Sequence, residues 1–126
     1  LLPQADVVCS VLPSTPQTAG IADQAFFDAM RDGAYFANAG RGDLVDQRAL
    51  VEALASGHLS GAALDVCTPE PLPAESPLWD APNLLLTPHV SGQFHLAVTL
   101  DNIVGIAAEN LAHLAAGEAL RNHVNA

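Results

Sequence analysis

The sequence predicts an α/β fold in which four parallel strands with flanking helices form the second half of a doubly wound sheet. Apolar runs of strand length recur along the chain, each bounded by turn-forming residues. Segments with a helical apolar period follow these runs, so that strands and helices alternate. Half of the 126 residues are apolar, which is enough to bury a core within one domain.

The apolar patterns place seven main elements. Strands are predicted at Asp6–Leu12, Ala34–Ala39, Ala62–Val66 and Leu84–Thr87. Helices are predicted at Gln24–Arg31, Gln47–Ser56 and Phe94–Gly117. Asp23 and Asp46 are suited to cap the first two helices, and Gly33 and Gly57 to end them. Right-handed crossovers then put successive strands side by side, with the first strand at an edge of the sheet.

Two stretches depart from this simple alternation. The connection between the third and fourth strands holds five prolines, at Pro69, Pro71, Pro73, Pro77 and Pro82. Because each proline removes a backbone donor and favours extended geometry before it, we expect an open loop without a helix. In the last helix, Gly105 interrupts the apolar pattern and marks either close packing or a break.

Charge and composition exclude several classes of function. The net charge is −10, from 14 acidic residues against four arginines and no lysine, so neither nucleic acid nor anionic lipid is an expected partner. No apolar run is long enough to span a membrane and no basic-apolar leader opens the chain, so we expect a cytoplasmic protein. Cys9 and Cys67 fit no metal-binding spacing, so we expect reduced thiols and no metal site.

Polar residues follow the predicted strands where their carboxyl ends would share one edge. Asp65 lies at the end of the third strand, Glu70 in the proline-rich loop, and His89 just after the fourth strand. Ligands of open α/β sheets bind along this edge. Glu70 and His89 could form an acid–base pair, because a carboxylate on one imidazole nitrogen leaves the other free for proton exchange. Alternatively, Glu70 caps a turn and His89 merely follows a proline.

Two further features accompany this edge. Arg41 stands between Gly40 and Gly42 after the second strand, and its guanidinium suits a carboxylate substrate, although a surface ion pair is the other interpretation. The loop Pro13–Thr18 after the first strand is rich in hydroxyls that either meet a ligand or satisfy the turn backbone. The remaining histidines have no motif around them and are interpreted as surface or turn residues: His58, His95, His113 and His123.

Four longer motifs extend over most of the chain. In order they are LPSTPQTAG, FANAGRGDLVDQRALVEAL, SGHLSGAALDV followed by PEPLP, and SPLWDAPNLLLTPHVSG. With them the chain resembles the Rossmann-type NAD(P)-binding domain of the D-isomer-specific 2-hydroxyacid dehydrogenases, especially the glyoxylate/hydroxypyruvate reductase branch. The resemblance implies hydride transfer between NAD or NADP and a small 2-oxo/2-hydroxy carboxylate. It also implies a homodimer.

The resemblance assigns roles to individual residues. Arg41 is expected to bind the substrate's carboxylate and carbonyl, His89 to donate and accept the proton, and Glu70 to be its carboxylate partner. Asp65 is expected to hold the nicotinamide carboxamide. The other residues expected beside the cofactor are Pro13, Thr15, Ala39 and Gly92. Trp79 either packs under the loop or approaches the pocket.

The chain also departs from the family pattern. It contains no GxGxxG motif and no acidic residue placed to hold an adenosine ribose. We therefore expect a carboxyl-terminal fragment, inactive alone, with a partial dinucleotide-binding domain at 1–93 and a closing helix and tail at 94–126. Three other functions stay open: a formate dehydrogenase, which resembles this chain but has glutamine at the position of Glu70, a corepressor-like dinucleotide-sensing module, and an inactive remnant.

Overall fold

Strands and helices alternate along the first two thirds of the chain, and one long helix follows. The computed structural model describes residues 1–92 and 96–123. The strands are β1 Val7–Ser10, β2 Ala34–Asn38, β3 Leu59–Leu64 and β4 Leu84–Leu86. The α-helices are α1 Gln24–Asp28, α2 Gln47–Ala55 and α3 Ala97–Ala116. Short 3₁₀ turns occur at Leu2–Gln4, Gly42–Leu44 and Pro77–Asp80.

The four strands form one parallel sheet in the order β1-β2-β3-β4. This confirms the predicted fold class, the side-by-side order and the place of the first strand at an edge. The strand ends are aligned, because Ser10 pairs with Asn38, Asn38 with Leu64, and Leu64 with Leu86. Whatever follows each strand therefore starts from the same edge of the sheet.

One face of the sheet carries the core. Phe27 of α1, Phe36 of β2 and Leu50 of α2 are fully or almost fully buried there. The rings of Phe27 and Phe36 meet edge to face, with centroids 5.2 Å apart. Truncating a buried phenylalanine to alanine typically costs about 3–5 kcal/mol, so this cluster stabilises the helical layer against the sheet. The other face is more open, since Val7, Tyr35 and Leu85 are 61%, 52% and 62% exposed.

The predicted caps of α1 and α2 are present. Asp23 accepts a hydrogen bond from the Phe26 amide at 2.9 Å, and Asp46 accepts from the Arg48 and Ala49 amides. These carboxylates satisfy amides that the first helical turn leaves without a partner. Both helices end before the predicted residue, α1 at Asp28 instead of Arg31 and α2 at Ala55 instead of Ser56.

All four strands end one or two residues before the predicted residue, and two further predictions were wrong. β3 begins at Leu59, three residues before the predicted start at Ala62. Gly61 therefore lies inside β3. A Cβ at this position would come within 3.0 Å of the Asn83 carbonyl oxygen, so the glycine permits close packing against that residue. The proline-rich loop does contain a helix, the 3₁₀ turn Pro77–Asp80. Proline fits the first position of a helical turn, and the Ser76 hydroxyl accepts a hydrogen bond from Leu78.

The chain divides into two compact units, Leu1–Ser91 and Gly92–Ala126. In the second unit, α3 ends at Ala116 and is followed by Gly117, whose φ of 70° is the left-handed conformation that glycine adopts readily. Helix α3 runs unbroken through Gly105, so the interpretation of this glycine as a break is wrong. The predicted start at Phe94 lies outside the described residues. No described helix is both long enough and apolar enough to cross a membrane.

Candidate active site

Glu70 and His89 are in direct contact at the carboxyl edge of the sheet. The distance between His89 Nδ1 and Glu70 Oε2 is 2.9 Å. The second carboxylate oxygen, Oε1, accepts a hydrogen bond from the Cys67 amide, also at 2.9 Å. Glu70 therefore caps a turn and also contacts the imidazole, and the acid–base role of the pair stays a prediction. The hydrogen bonds from His89 and from the Cys67 backbone lower the pKa of Glu70, which keeps it ionised at neutral pH.

Asp65 holds the segment that carries His89. Its carboxylate accepts four hydrogen bonds, from the Thr87 hydroxyl, the Val90 amide, and the Ser91 amide and hydroxyl, at 2.5–2.9 Å. Burial alone would raise the pKa of this carboxyl group, but the four donors outweigh burial and hold it far below its usual range. The main-chain oxygen of Asp65 also accepts from the His89 amide at 2.8 Å.

These contacts impose an uncommon backbone conformation on His89. Its φ is +55°, in the left-handed region that few residues other than glycine adopt. The hydrogen bonds that Asp65 accepts from this segment compensate for the conformation, and together with Glu70 they orient the imidazole. A carboxylate offers about four lone-pair sites, so Asp65 is fully occupied within the chain, and a nicotinamide carboxamide would have to share one of its oxygens.

The loop after β2 places Arg41 at the same edge. The buried side chain of Asn38 spans this loop, since its amide nitrogen donates to the Arg41 carbonyl at 2.8 Å and its oxygen accepts from the Gly40 amide at 3.0 Å. Gly40 and Gly42 pack closely against the protein's own backbone. A Cβ at Gly42 would lie 2.1 Å from the Cys67 carbonyl oxygen.

Arg41, Glu70 and His89 line one cleft with a volume of 310 Å³. This confirms that the arginine faces the same crevice as the acid–base pair. The Arg41 guanidinium donates to the neighbouring Gly40 carbonyl at 2.8 Å, and the side chain is exposed. An exposed cation beside an ionised Glu70 and an imidazole gives the cleft one group that can bind an anion and one that can exchange a proton.

Pro13, Thr15 and Ala39 follow the first two strands at this edge, whereas Gly92 belongs to the second unit. The hydroxyls of Thr15 and Thr18 contact each other at 3.0 Å, and Thr18 also donates to the Pro13 carbonyl, so this loop satisfies its own backbone. Ala39 is exposed directly after β2. Gly92 follows Ser91 at the start of the second unit. Among the residues that the structure describes, no group of histidine, cysteine and acidic side chains could hold a metal ion.

Comparison with known proteins identifies the family. The family model described as D-isomer specific 2-hydroxyacid dehydrogenase, NAD binding domain, matches residues 1–91. The chain belongs to this family. It is 42% identical over 125 residues to the glyoxylate/hydroxypyruvate reductase B of Enterobacter sp. (strain 638), which is 99% of this chain and 38% of that protein. It is 41% identical over 124 residues to reductase A of Salmonella paratyphi B, which is again 38% of the relative's length.

Solved structures of D-isomer specific 2-hydroxyacid dehydrogenases share the fold. The enzyme of Xanthobacter autotrophicus Py2 in complex with NADPH and MES has a TM-score of 0.87 and 38% identity, over 98% of this chain and 50% of that one. The NADPH-dependent glyoxylate/hydroxypyruvate reductase of Sinorhizobium meliloti, in complex with NADP and sulfate, has a TM-score of 0.84 and 34% identity, over 98% of this chain and 40% of that one.

Three residues that shape this edge are not among the predicted site residues: Asn38, Ser14 and Asp43. Asn38 is 1% exposed, and a polar residue inside an apolar strand could have drawn attention to it. Ser14 and Asp43 connect the loops after β1 and β2, because the Ser14 hydroxyl donates to Asp43 Oδ2 at 2.5 Å. They lie 29 residues apart, and no local pattern relates them.

Proposed function

We propose that this chain provides the acid–base and carboxylate-binding residues of an NAD(P)-dependent 2-hydroxyacid dehydrogenase that reduces glyoxylate or hydroxypyruvate. The observation that carries the proposal is the 2.9 Å contact between Glu70 and His89, in a cleft that Arg41 also lines. The similarity of this chain to glyoxylate/hydroxypyruvate reductases supports the substrate class.

Each residue has a defined task. Arg41 binds the substrate carboxylate through two parallel hydrogen bonds, which also fixes the carbonyl beside His89. Glu70 accepts from Nδ1 of His89, so that Nε2 is free to give its proton to the carbonyl oxygen during reduction. The ionised Glu70 stabilises the imidazolium from which the proton leaves. In the reverse direction, His89 takes the proton from the substrate hydroxyl.

The cofactor side of the edge fits a nicotinamide dinucleotide. Ala39 is exposed and carries no side chain beyond Cβ, and Pro13 is exposed on the neighbouring loop, so a flat ring finds open apolar surface there. Thr15 and Asp65 add polar atoms close by. When bound, the reduced nicotinamide supplies the hydride. NADP is favoured over NAD as the cofactor because the Xanthobacter and Sinorhizobium proteins are described with NADPH or NADP.

A chimaera tests the proposal. This chain replaces the 125 matched residues of the Enterobacter reductase, and turnover of glyoxylate and hydroxypyruvate is measured with NADPH and with NADH. We expect the chimaera to turn over these acids. His89→Gln should lower this turnover by about 10²–10⁴-fold and leave NADPH binding nearly unchanged. His123→Gln, at an exposed position of the second unit, is the matched control and should leave turnover intact.

Arg41→Lys separates substrate binding from proton transfer. Lysine keeps the charge but loses the planar pair of donors, so KM for the oxo acid should rise with little change in the Kd of NADPH. A chimaera that folds and binds NADPH but turns over neither acid would contradict the proposal and favour a dinucleotide-sensing module. Full activity of the His89→Gln variant would remove the proton-transfer role.

The proposal includes a cytoplasmic homodimer that does not bind nucleic acid. A net charge of −10 repels polyanions, and the exposed Val7, Tyr35 and Leu85 give the sheet an apolar face that a second copy can cover. Sedimentation equilibrium of the chain distinguishes a dimer from a monomer. A monomer at all protein concentrations would contradict this part.

A further inference from the structure

The segment 14–20 after β1 is fixed at both ends by one residue of the loop after β2. The Ser14 hydroxyl donates to Asp43 Oδ2 at 2.5 Å, and the Gly20 amide donates to the main-chain oxygen of Asp43 at 2.8 Å. Ser14, Arg41 and Asp43 also line the same cleft. Asp43 therefore connects the loop expected beside the cofactor to the loop that carries the arginine.

The loop after β1 has its own internal hydrogen bonds. The Thr18 hydroxyl accepts from the Thr15 amide at 2.8 Å and donates to the Pro13 carbonyl at 2.7 Å. Among the described residues, the Ser14 hydroxyl makes the one side-chain hydrogen bond that joins residues 13–18 to another segment. Because this loop holds its own shape, it moves as one body, and a shift of the loop displaces Asp43 as well.

Arg41 is flanked on both sides by residues that contact the chain after β1. Asp43 lies in the 3₁₀ turn Gly42–Leu44 that starts directly after Arg41. On the other side, a Cβ at Gly40 would lie 2.5 Å from the Leu12 carbonyl oxygen, so this glycine packs tightly against the same chain. The guanidinium itself donates to the neighbouring Gly40 carbonyl. The position of Arg41 therefore depends on the loop after β1.

We propose that Ser14 and Asp43 are positioning residues that couple cofactor binding at the loop after β1 to carboxylate binding by Arg41. This rests on the proposed function, which places the cofactor beside Pro13 and Thr15. A bound dinucleotide restricts that loop and, through Ser14 and Asp43, the loop of Arg41. Arg41 then loses less conformational freedom when it binds a carboxylate, so the substrate anion binds more tightly in the presence of the cofactor.

Oxamate tests this coupling, because it has the carboxylate and carbonyl of a 2-oxo acid but its amide carbonyl resists hydride transfer. The Kd of oxamate for the chimaera is measured by calorimetry without cofactor and with saturating NADPH, and the ratio of the two Kd values is the coupling factor. We expect a coupling factor of about 10 or more. Ser14→Ala should lower this factor at least about 3-fold and leave the Kd of oxamate without cofactor nearly unchanged. The part that remains is direct contact between oxamate and the nicotinamide.

Two substitutions of Asp43 separate the contact from the charge. Asp43→Asn removes the charge but keeps an oxygen to which the Ser14 hydroxyl can donate, so the coupling factor should stay within about 2-fold of the wild-type value. Asp43→Ala removes both and should match Ser14→Ala. The double variant Ser14→Ala/Asp43→Ala should lose no more than either single variant, because the two residues act through one contact.

Asp80→Ala is the matched control. It removes an exposed acid of the same unit, on the turn Pro77–Asp80, and should leave the coupling factor unchanged. A wild-type coupling factor in Ser14→Ala or Asp43→Ala would overturn the proposal. Equal losses in Asp43→Asn and Asp43→Ala would do the same, because they would assign the effect to charge. Oxamate binding that weakens equally with and without NADPH would also overturn it, because the contact would then be merely structural.

The outcome is distinguishable from that of the turnover experiment. If the chimaera reduces glyoxylate through His89 but its coupling factor does not depend on Ser14, the proposed function stands and the coupling is wrong. If the coupling factor depends on Ser14 as expected but the chimaera has no activity, the coupling holds and the proposed reaction is wrong.

Discussion

Replacing Asp65 by asparagine tests whether this carboxylate organises the His89 segment. Each of its two oxygens accepts two hydrogen bonds, and asparagine keeps only one accepting oxygen. The variant therefore loses two hydrogen bonds to a charged acceptor, each worth about 1.5–3 kcal/mol. Its NH₂ group also faces two donors from which it cannot accept a hydrogen bond. Thr87 and Ser91 are exposed, so water can replace some of the lost hydrogen bonds. We therefore expect the free energy of unfolding to fall by about 2–3 kcal/mol at pH 7.

The pH dependence provides an independent check. The pKa of Asp65 is lower in the folded state than in the unfolded state. Its contribution to the free energy of unfolding is therefore fully present above the unfolded-state pKa of about 3.9 and declines as the pH falls toward the folded-state pKa. The decline is about 1.4 kcal/mol for each pH unit below the unfolded value. Between pH 4 and pH 2.5 the wild-type advantage over Asp65→Asn should therefore shrink by roughly 2 kcal/mol.

Urea unfolding followed by Trp79 fluorescence measures both quantities, since this tryptophan lies in the same unit as Asp65. Glu75→Gln, an exposed change in the proline-rich loop, is the matched control and should leave the midpoint unchanged at both pH values. Amide exchange at Val90 should accelerate in Asp65→Asn even under native conditions. Equal midpoints at pH 7, or a difference at pH 7 that persists unchanged at pH 2.5, would refute the account of Asp65.

Three further substitutions follow from the structure. Gly42→Ala would put a Cβ against the Cys67 carbonyl, so we expect the free energy of unfolding, measured with urea, to fall by about 1–3 kcal/mol. A variant as stable as the wild type would contradict this close contact. Asn38→Ala removes both hydrogen bonds that hold the Arg41 loop. It should raise the KM of the chimaera for glyoxylate roughly 10-fold and leave NADPH binding unchanged. A constant KM would show that Arg41 does not depend on these hydrogen bonds. Asp46→Ala removes the cap of α2 and should cost about 1 kcal/mol in thermal unfolding without changing KM, and a changed KM would show that the cap also affects the cleft.

Local patterns were sufficient to predict most of the sheet and both helix caps. Apolar runs and turn residues depend on neighbouring positions, which a sequence shows directly. The start of β3 was placed too late because a glycine in a turn and a glycine under a tightly packed neighbour, such as Gly61, look the same in sequence. The 3₁₀ turn at Pro77–Asp80 was missed for a related reason, since proline disfavours a helix interior and favours its first turn.

The candidate site was predictable to the extent that parallel strands bring their carboxyl ends together. That rule placed Arg41, Asp65 and His89 at one edge without any knowledge of distances. It could not show that Asp65 would use its whole carboxylate on the chain itself, nor that Asn38 would span the arginine loop. Both depend on side-chain directions in loops, which propensity and periodicity do not encode.

A continuous series of contacts explains how three separate loops maintain one site. The Arg41 loop packs against Cys67 through Gly42, and the Cys67 amide donates to Glu70. Glu70 contacts the imidazole of His89, whose own amide donates to the main chain after β3. Because each contact is made to backbone or to an ionised group, displacing any one loop would break a hydrogen bond or create a steric clash in the next. The cation, the carboxylate and the imidazole are therefore positioned together, which binding a carboxylate and protonating its neighbouring carbonyl requires.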